Sequence, residues 1–172
     1  AWSNLVQRGN LKKKQSVLIH GGTSGIGIAS IQILKLFETN IFTTVGSEKK
    51  KKFCNDIGVK YAFNYKKEDF FKEIKNSTEE IDIILDFVGG DYVDKNINLL
   101  ANDGKLINIG FQNGSKVNIN LMKVMLKRLV ITGSTLRIRD KNFKKQILKD
   151  LNSFVFPNFK TGKIKCFIDS IY

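Results

Sequence analysis

The sequence has little proline and little cysteine, and each scarcity excludes a class of protein. One proline among 172 residues, with 42% hydrophobic residues, excludes a disordered chain and predicts one ordered domain with a sizeable core. Cys54 and Cys166 lie far apart, without a Cys-x-x-Cys or Cys/His spacing around them. We therefore expect free thiols, a reducing compartment and no metal site.

Targeting and membrane signals are also missing. The first ten residues, AWSNLVQRGN, lack a basic region followed by an apolar core, so no signal peptide is visible. The most apolar stretch is interrupted by glycines, His20 and Gln32, which makes it a poor membrane span. We predict a cytoplasmic location and no membrane partner. Both ends of the sequence resemble cut edges, and the C-terminal end is a strand-like segment at 165–172. We therefore expect residues 1–172 to be a fragment, a single domain of a longer polypeptide.

Arginine is scarce in a strongly basic chain. The net charge is +13, yet of 29 basic residues the arginines are only Arg8, Arg128, Arg137 and Arg139. Base readout favours arginine, and the lysines are spread along the chain, so solvated faces explain most of the charge. We do not expect nucleic acid as the main partner. A non-catalytic nucleotide- or RNA-binding module is the alternative function.

Short β-branched runs alternate with helical patterns along most of the chain. The predicted strands are 16–20, 40–45, 61–64, 81–87, 104–110 and 129–134. The predicted helices are 25–38, 47–57, 68–76, 91–101, 119–127 and 140–154. Continuous apolar strands separated by helices are typical of a parallel sheet covered on both faces. We predict an α/β fold with a doubly wound, six-stranded parallel Rossmann sheet in the order 3-2-1-4-5-6.

A glycine-rich turn joins the first predicted strand to the first predicted helix. It reads Gly21-Gly22-Thr23-Ser24-Gly25-Ile26-Gly27. In a doubly wound sheet, glycines at this position let the backbone approach a pyrophosphate, and the helix N-terminus offers unpaired N–H groups. Thr23 and Ser24 add hydroxyl donors. The position of the turn predicts a dinucleotide cofactor site.

The end of the second predicted strand bears on the choice of cofactor. NAD-binding proteins place an Asp or Glu there for the ribose hydroxyls. Here the strand is followed by Ser47, Glu48 and four lysines. Ser47 and Lys50 can hold a 2′-phosphate by hydrogen bond and charge, which favours NADPH. Glu48 leaves NADH open, because its distance from the glycines suits a ribose ligand.

The turn GGTSGIG also resembles that of the short-chain dehydrogenases. Those enzymes need a Tyr-x-x-x-Lys pair, in which the lysine lowers the pKa of the tyrosine. Four residues after Tyr61, Tyr65 and Tyr92 stand Tyr65, Asp69 and Asn96, and Tyr172 has no successor. The absence of the pair excludes this family.

Several stretches in order resemble a different family. They are VLIHGGTSGIGIASIQ, TTVGSEKKKKF, AFNYKKEDF, IILDFVGGDYVDKNINLLANDGKLINIG and LKRLVITGSTLRIRDKNFKKQ. Together they resemble the zeta-crystallin-like NADPH:quinone oxidoreductases, a branch of the medium-chain dehydrogenase/reductases. The resemblance implies a zinc-free enzyme that transfers a hydride from NADPH to a quinone or activated alkene (enone). It also implies a split GroES-like substrate domain that is missing from residues 1–172, so that the chain alone is inactive.

The resemblance also assigns cofactor contacts. It places the pyrophosphate on Thr23, Ser24, Gly25, Ile26 and Gly27. It places the 2′-phosphate on Ser47, Lys50 and Tyr65. Val88 and Gly89 lie beside the adenosine side, whereas Gly110, Phe111 and Gln112 lie near the nicotinamide. It further implies a homodimer formed through an edge strand within 129–136.

Two polar residues within predicted strands invite a catalytic role that we do not assign. His20 ends an apolar strand, so we interpret it as a core histidine rather than an acid or base. Asp86, in the strand IDIILDF, is interpreted as a buried partner for a turn amide. We expect the residues that contact the substrate to lie mostly in the missing domain.

Overall fold

The computed structural model describes residues 1–77 and 79–168. It contains six strands: β1 Ser16–His20, β2 Asn40–Val45, β3 Tyr61–Asn64, β4 Ile81–Asp86, β5 Leu100–Asn108 and β6 Val130–Gly133. They form one parallel sheet in the order β3-β2-β1-β4-β5-β6. The predicted fold class and strand order are confirmed.

In the described residues, five helices lie between successive strands and two follow β6. They are α1 Gly25–Leu36, α2 Glu48–Asp56, α3 Phe70–Asn76, α4 Tyr92–Leu99, α5 Leu121–Leu126, α6 Lys141–Asp150 and α7 Pro157–Lys160. Two further segments, Ser3–Arg8 and Leu151–Val155, are π-helical. Five of the helices begin after a residue whose side chain accepts a backbone N–H of the first turn: Ser24, Ser47, Asp69, Asn120 and Asp140.

The sheet has an apolar core on each face. Val17 and Ile19 of β1 pack on one side with residues of α1, whereas Leu18 packs on the other side with residues of α3 and α4. Side chains alternate between the two faces of a strand, so a sheet covered on both sides needs strands without polar alternation. This explains why the strands read as continuous apolar runs.

No helix in the described ranges is long and apolar enough to cross a membrane.

The predicted boundary between the fourth helix and the fifth strand was wrong. The helix was predicted to reach residue 101 and the strand to begin at 104, but α4 ends at Leu99 and β5 begins at Leu100. Leu100 pairs with Ile81, and the register then shifts so that Ile83 pairs with Lys105. This irregular pairing adds residues to β5 that a strictly periodic pattern does not reveal.

The last segments of the chain also differ from expectation. The predicted helix 140–154 is α-helical only to Asp150 and continues as the π-helical segment. The predicted strand at 165–172 is not found at 165–168, where the backbone N–H of Lys165 donates to the side-chain oxygen of Gln32. Its remainder, 169–172, lies outside the described residues.

Candidate functional site

The carboxyl ends of β1, β2 and β4 surround a cavity of about 380 Å³, here called the central cavity. It lies where the strand order reverses between β1 and β4, which is where open α/β sheets bind their ligands. Six of the predicted site residues line it: Thr23, Ser24, Lys50, Tyr65, Val88 and Gln112. Segments separated by up to about 90 positions in sequence are thus brought to one cavity.

The glycine turn combines tight packing with open space. Ser24 caps α1, and its Oγ accepts the N–H of Gly27 at 3.0 Å. A Cβ on Gly27 would lie 2.7 Å from the carbonyl carbon of Gly22, so this glycine lets the helix sit against the turn. A Cβ on Gly25 would meet nothing within 4 Å, and Ile26 beside it is exposed. The first turn of α1 therefore leaves room for a ligand at Gly25 and none at Gly27.

The end of β2 presents a lysine and two hydroxyls. Ser47 caps α2 by accepting the N–H of Lys50 at 3.3 Å and lies beside the residues that line the central cavity. The Tyr65 hydroxyl lies over Gly46, where a Cβ would come within 2.8 Å of it. The Lys50 side chain is exposed and lines the cavity. This corner has positive charge and hydrogen-bond donors, as a phosphate monoester requires.

Glu48 does not compete for this corner. Its Oε1 accepts a hydrogen bond from Asn64 Nδ2 at 2.6 Å and lies 3.9 Å from the ammonium of Lys67. The hydrogen bond from Asn64 and the nearby lysines lower the pKa of Glu48, which keeps it ionised. The carboxylate is held at the end of β3, and Glu48 does not line the central cavity.

Two loops close the cavity beyond β4 and β5. Asp86 Oδ1 accepts the backbone N–H of Val88 at 2.7 Å and that of Gly89 at 3.3 Å, so its predicted role as partner for a turn amide is confirmed. The N–H of Asn113 donates to the carbonyl of Val88 at 2.7 Å and ties the two loops together. Gly89 is buried and does not line the central cavity.

A second cavity, of about 700 Å³, lies at the carboxyl ends of β5 and β6. Gly110 and Phe111 line it, together with Asn108, Ser134 and Arg139. Asn108 is buried, and within the described ranges its Oδ1 has no hydrogen-bond partner. The residues predicted for the nicotinamide therefore divide, with Gln112 in the central cavity and the other two in this one.

Sequence reasoning missed several residues that line the central cavity: Thr44, Phe87, Tyr92 and Asn113. Thr44 and Phe87 stand at the ends of strands, and that position is a usable signal. Burial raises the pKa of Tyr92 to about 12, so its hydroxyl stays protonated. Asn113 lies in a loop, and its contact with Val88 depends on how two crossovers meet.

His20 is a core residue, as predicted. It is 1% exposed, with Nδ1 3.0 Å from Thr44 Oγ1 and Nε2 2.9 Å from Asn96 Oδ1. Burial lowers the pKa of His20 more than Asp86 and Asn96 raise it, so the ring is neutral near pH 7. Both cysteines are free, and burial raises the pKa of Cys54 to about 11, which makes it an unreactive thiol.

The chain is similar to known oxidoreductases. A family model described as zinc-binding dehydrogenase matches residues 25–152, and the chain belongs to that family. The described ranges hold no cluster of three or more His, Cys, Asp or Glu side chains able to hold a metal ion, so the residues present do not fit the zinc of the family's name.

Relatives span two kinds of enzyme. Polyketide synthase 37 of Dictyostelium discoideum is 28% identical over 96% of this chain and 6% of its own length. Human quinone oxidoreductase is 30% identical over 79% of this chain and 41% of its own length. The nucleotide-binding subdomain of the enoylreductase domain of PpsC from Mycobacterium tuberculosis is 26% identical, with a TM-score of 0.79 over 96% of this chain and 93% of that one. The chain thus spans less than half the length of these curated relatives and nearly all of a nucleotide-binding subdomain.

Proposed function

We propose that this chain is the NADPH-binding domain of an oxidoreductase that transfers a hydride from NADPH to a quinone or an activated alkene. The observation that carries the proposal is the corner at the end of β2, where Lys50 and the Tyr65 hydroxyl face the central cavity while Glu48 is held away by Asn64. A lysine and hydroxyls suit a 2′-phosphate, whereas NAD needs an acidic residue turned toward the ribose.

NADP(H) as the cofactor is supported from a second direction. The solved structure of Escherichia coli quinone oxidoreductase in complex with NADPH has the same fold, with a TM-score of 0.82 over 97% of this chain at 23% identity. The cavity at the switch point of the sheet provides the matching place in this chain.

The first turn of α1 holds the pyrophosphate in this proposal. The open space at Gly25 lets phosphate oxygens approach the backbone, and the helix N-terminus contributes positive potential. Thr23 and Ser24 line the same cavity, and their hydroxyls can donate to phosphate. Ile26 lies on the open side, and Gly27 contributes by packing the helix against the turn.

Bound NADPH supplies the hydride from its nicotinamide ring, and the chain positions that ring. We assign Val88 and Gly89 to the adenosine side and Gly110, Phe111 and Gln112 to the nicotinamide. Of these, Val88 and Gln112 line the central cavity, whereas Gly110 and Phe111 line the cavity at β5 and β6. Orientation of the two reactants accounts for much of the rate of such transfers, which need no acid or base from this domain. His20 and Asp86 are buried and engaged with protein groups, in keeping with that division.

The substrate class rests on the relatives. One relative is named for quinone reduction and another for enoyl reduction, and both names describe reduction of a conjugated unsaturated system. The zeta-crystallin-like branch, the missing GroES-like substrate domain, the single-domain nature of 1–172 and the cytoplasmic location are parts of this proposal that stem from the sequence.

We also propose a homodimer through the edge of the sheet. β6 pairs only with β5 among the described strands, and Val130 and Ile131 on it are 46% and 39% exposed. The neighbouring α5 exposes further apolar residues: Leu121, Met122, Met125 and Leu126. An apolar edge strand is normally covered, and a second copy of 129–136 covers it symmetrically.

The experiment compares Lys50→Glu with Lys52→Glu. Both variants make the same charge change on α2, but Lys50 lines the central cavity whereas Lys52 pairs with Asp56 in solvent. Titration with NADPH and NADH, followed by nicotinamide fluorescence, should show NADPH affinity reduced at least about thirtyfold by Lys50→Glu and NADH affinity reduced less than about threefold. Equal losses for the two cofactors, or equal losses in the two variants, would overturn the 2′-phosphate assignment.

A further inference from the structure

A row of buried polar side chains crosses the sheet directly beneath the central cavity. Thr44 on β2 pairs in register with His20 on β1, and Asp86 on β4 pairs with Asn108 on β5. The pairing of Ile19 with Leu85 places His20 beside Asp86. All four are between 0% and 9% exposed and share the sheet face that carries Leu18, Ile84 and Leu106. Burying polar groups at this depth costs free energy unless they are hydrogen-bonded.

Asn96 of α4 completes the row from the helix layer. Its Nδ2 donates to Asp86 Oδ2 at 3.2 Å, and its Oδ1 lies 2.9 Å from His20 Nε2. Within residues 1–77 and 79–168, the Asp86 carboxylate receives its hydrogen bonds from the N–H groups of Val88, Gly89 and Asn96, so it acts as an acceptor. The orientation of the Asn96 amide is thereby fixed, with its oxygen toward the histidine.

This orientation determines the tautomer of His20. An amide oxygen can only accept, so His20 Nε2 carries the proton and donates it to Asn96. In the neutral ring, Nδ1 is then bare and accepts the hydroxyl hydrogen of Thr44 at 3.0 Å. Every hydrogen bond from Thr44 to Asp86 thus has a defined donor and acceptor. The imidazole is the bridge, because it donates one hydrogen bond and accepts one.

The two ends of this chain of bonds lie at the two loops of the cofactor cavity. At one end, Asp86 holds the backbone N–H groups of Val88 and Gly89. At the other end, the Thr44 carbonyl accepts the N–H groups of Gly21 at 2.9 Å and Gly22 at 3.1 Å. The glycine turn and the Val88 loop face each other across the central cavity.

We propose that Thr44, His20, Asn96 and Asp86 form a positioning network that sets the separation of the phosphate-binding turn from the Val88 loop. The proposal rests on the proposed function, because it concerns the same cavity. None of the four is a catalytic residue. His20 acts as a neutral bridge. Another side chain that places one hydrogen-bond donor and one acceptor at similar distances from the backbone should therefore preserve the network.

The test uses two substitutions at His20 and two on α4. His20→Gln keeps an N–H donor and an oxygen acceptor, whereas His20→Leu keeps neither. Asn96→Leu breaks the bridge. Its control is Asn98→Leu on the same helix, because the Asn98 side chain forms hydrogen bonds with Asp94 and Lys123, away from the cavity. The measurements are NADPH affinity and the exchange rates of the Val88 and Gly89 amides, followed by NMR.

We expect His20→Leu and Asn96→Leu to weaken NADPH binding about tenfold and to speed exchange of both amides, whereas His20→Gln and Asn98→Leu stay within about threefold of the wild type. Equal losses in His20→Gln and His20→Leu would overturn the bridge. In the wild type, the ring nitrogen shifts of His20 must show a proton on Nε2 and none on Nδ1, and the opposite tautomer overturns the network without any variant. Failure of the wild type to bind NADPH would overturn the proposed function instead, and the tautomer and exchange data would still decide the network.

Discussion

Two glycines in the same turn should respond in opposite ways to the same methyl group. Gly25 is the first residue of α1 and is exposed, and a Cβ there meets no atom within 4 Å. Gly27, two residues on, is buried, and a Cβ there would lie 2.7 Å from the carbonyl carbon and 2.8 Å from the carbonyl oxygen of Gly22. The pair therefore distinguishes the open space at the proposed pyrophosphate site from the space that the packing of α1 against the turn fills.

The magnitudes follow from these surroundings. In Gly27→Ala the clash is with backbone, so α1 must move away from the turn, and we expect a loss of about 1–3 kcal/mol in the free energy of unfolding. In Gly25→Ala the helical backbone accepts alanine, and the reduced entropy of the unfolded chain raises the free energy of unfolding by about 0.4–1 kcal/mol. In the proposed complex, the added methyl group occupies the space through which the pyrophosphate approaches Gly25, so NADPH affinity should fall at least about tenfold.

The assay is urea denaturation of both variants, with and without NADPH, together with fluorescence titration. For Gly25→Ala we expect a higher midpoint without cofactor and a smaller rise when NADPH is added. Wild-type NADPH affinity in Gly25→Ala would refute the placement of the pyrophosphate at the first turn of α1. A Gly27→Ala variant as stable as the wild type would refute the packing role.

Three further outcomes are expected. Burial holds the pKa of His20 below its unfolded value of about 6.5, although Asp86 opposes this. The free energy of unfolding should therefore fall by up to about 1.4 kcal/mol per pH unit below pH 6.5. Denaturation at several pH values should show a smaller pH dependence for His20→Gln, and an unchanged dependence contradicts this role of His20. Asn108→Val removes a buried oxygen that has no hydrogen-bond partner in the described ranges, and urea denaturation should show a free energy of unfolding raised by about 1 kcal/mol. A free energy of unfolding lowered by the same amount shows instead that the Asn108 amide forms a stabilising hydrogen bond. Sedimentation at tens of micromolar should show a dimer that Ile131→Lys converts to a monomer, and a monomeric wild type counts against the edge-strand interface.

Periodicity was sufficient for most of the fold. The strands at 16–20, 40–45 and 61–64 were predicted with the bounds that the structure shows, because continuous apolar runs flanked by turns leave little choice of boundary. β5 was misplaced at its start because its pairing with β4 is irregular near Ile81. Register shifts depend on contacts between strands, which a local pattern does not contain.

The candidate site was only partly predictable. Thr23, Ser24, Lys50 and Tyr65 were identified from the sequence, and the structure brings them to one cavity. The sequence left Glu48 ambiguous, because its partner Asn64 lies 16 positions away on another strand. The bridge through Asn96 was missed for the same reason, since it joins residues 10 and 76 positions away through the helix layer.

The central claim is that this chain selects NADPH, and a paired titration tests it most directly. NADPH and NADH are added to the wild-type chain while nicotinamide fluorescence is followed, and binding to a single-stranded RNA is measured at low and high salt. We expect saturable binding of NADPH at least about tenfold tighter than that of NADH, because a 2′-phosphate gains a charge-assisted contact with Lys50. No binding of either cofactor, together with salt-sensitive RNA binding, would contradict the account and favour a nucleic-acid-binding module.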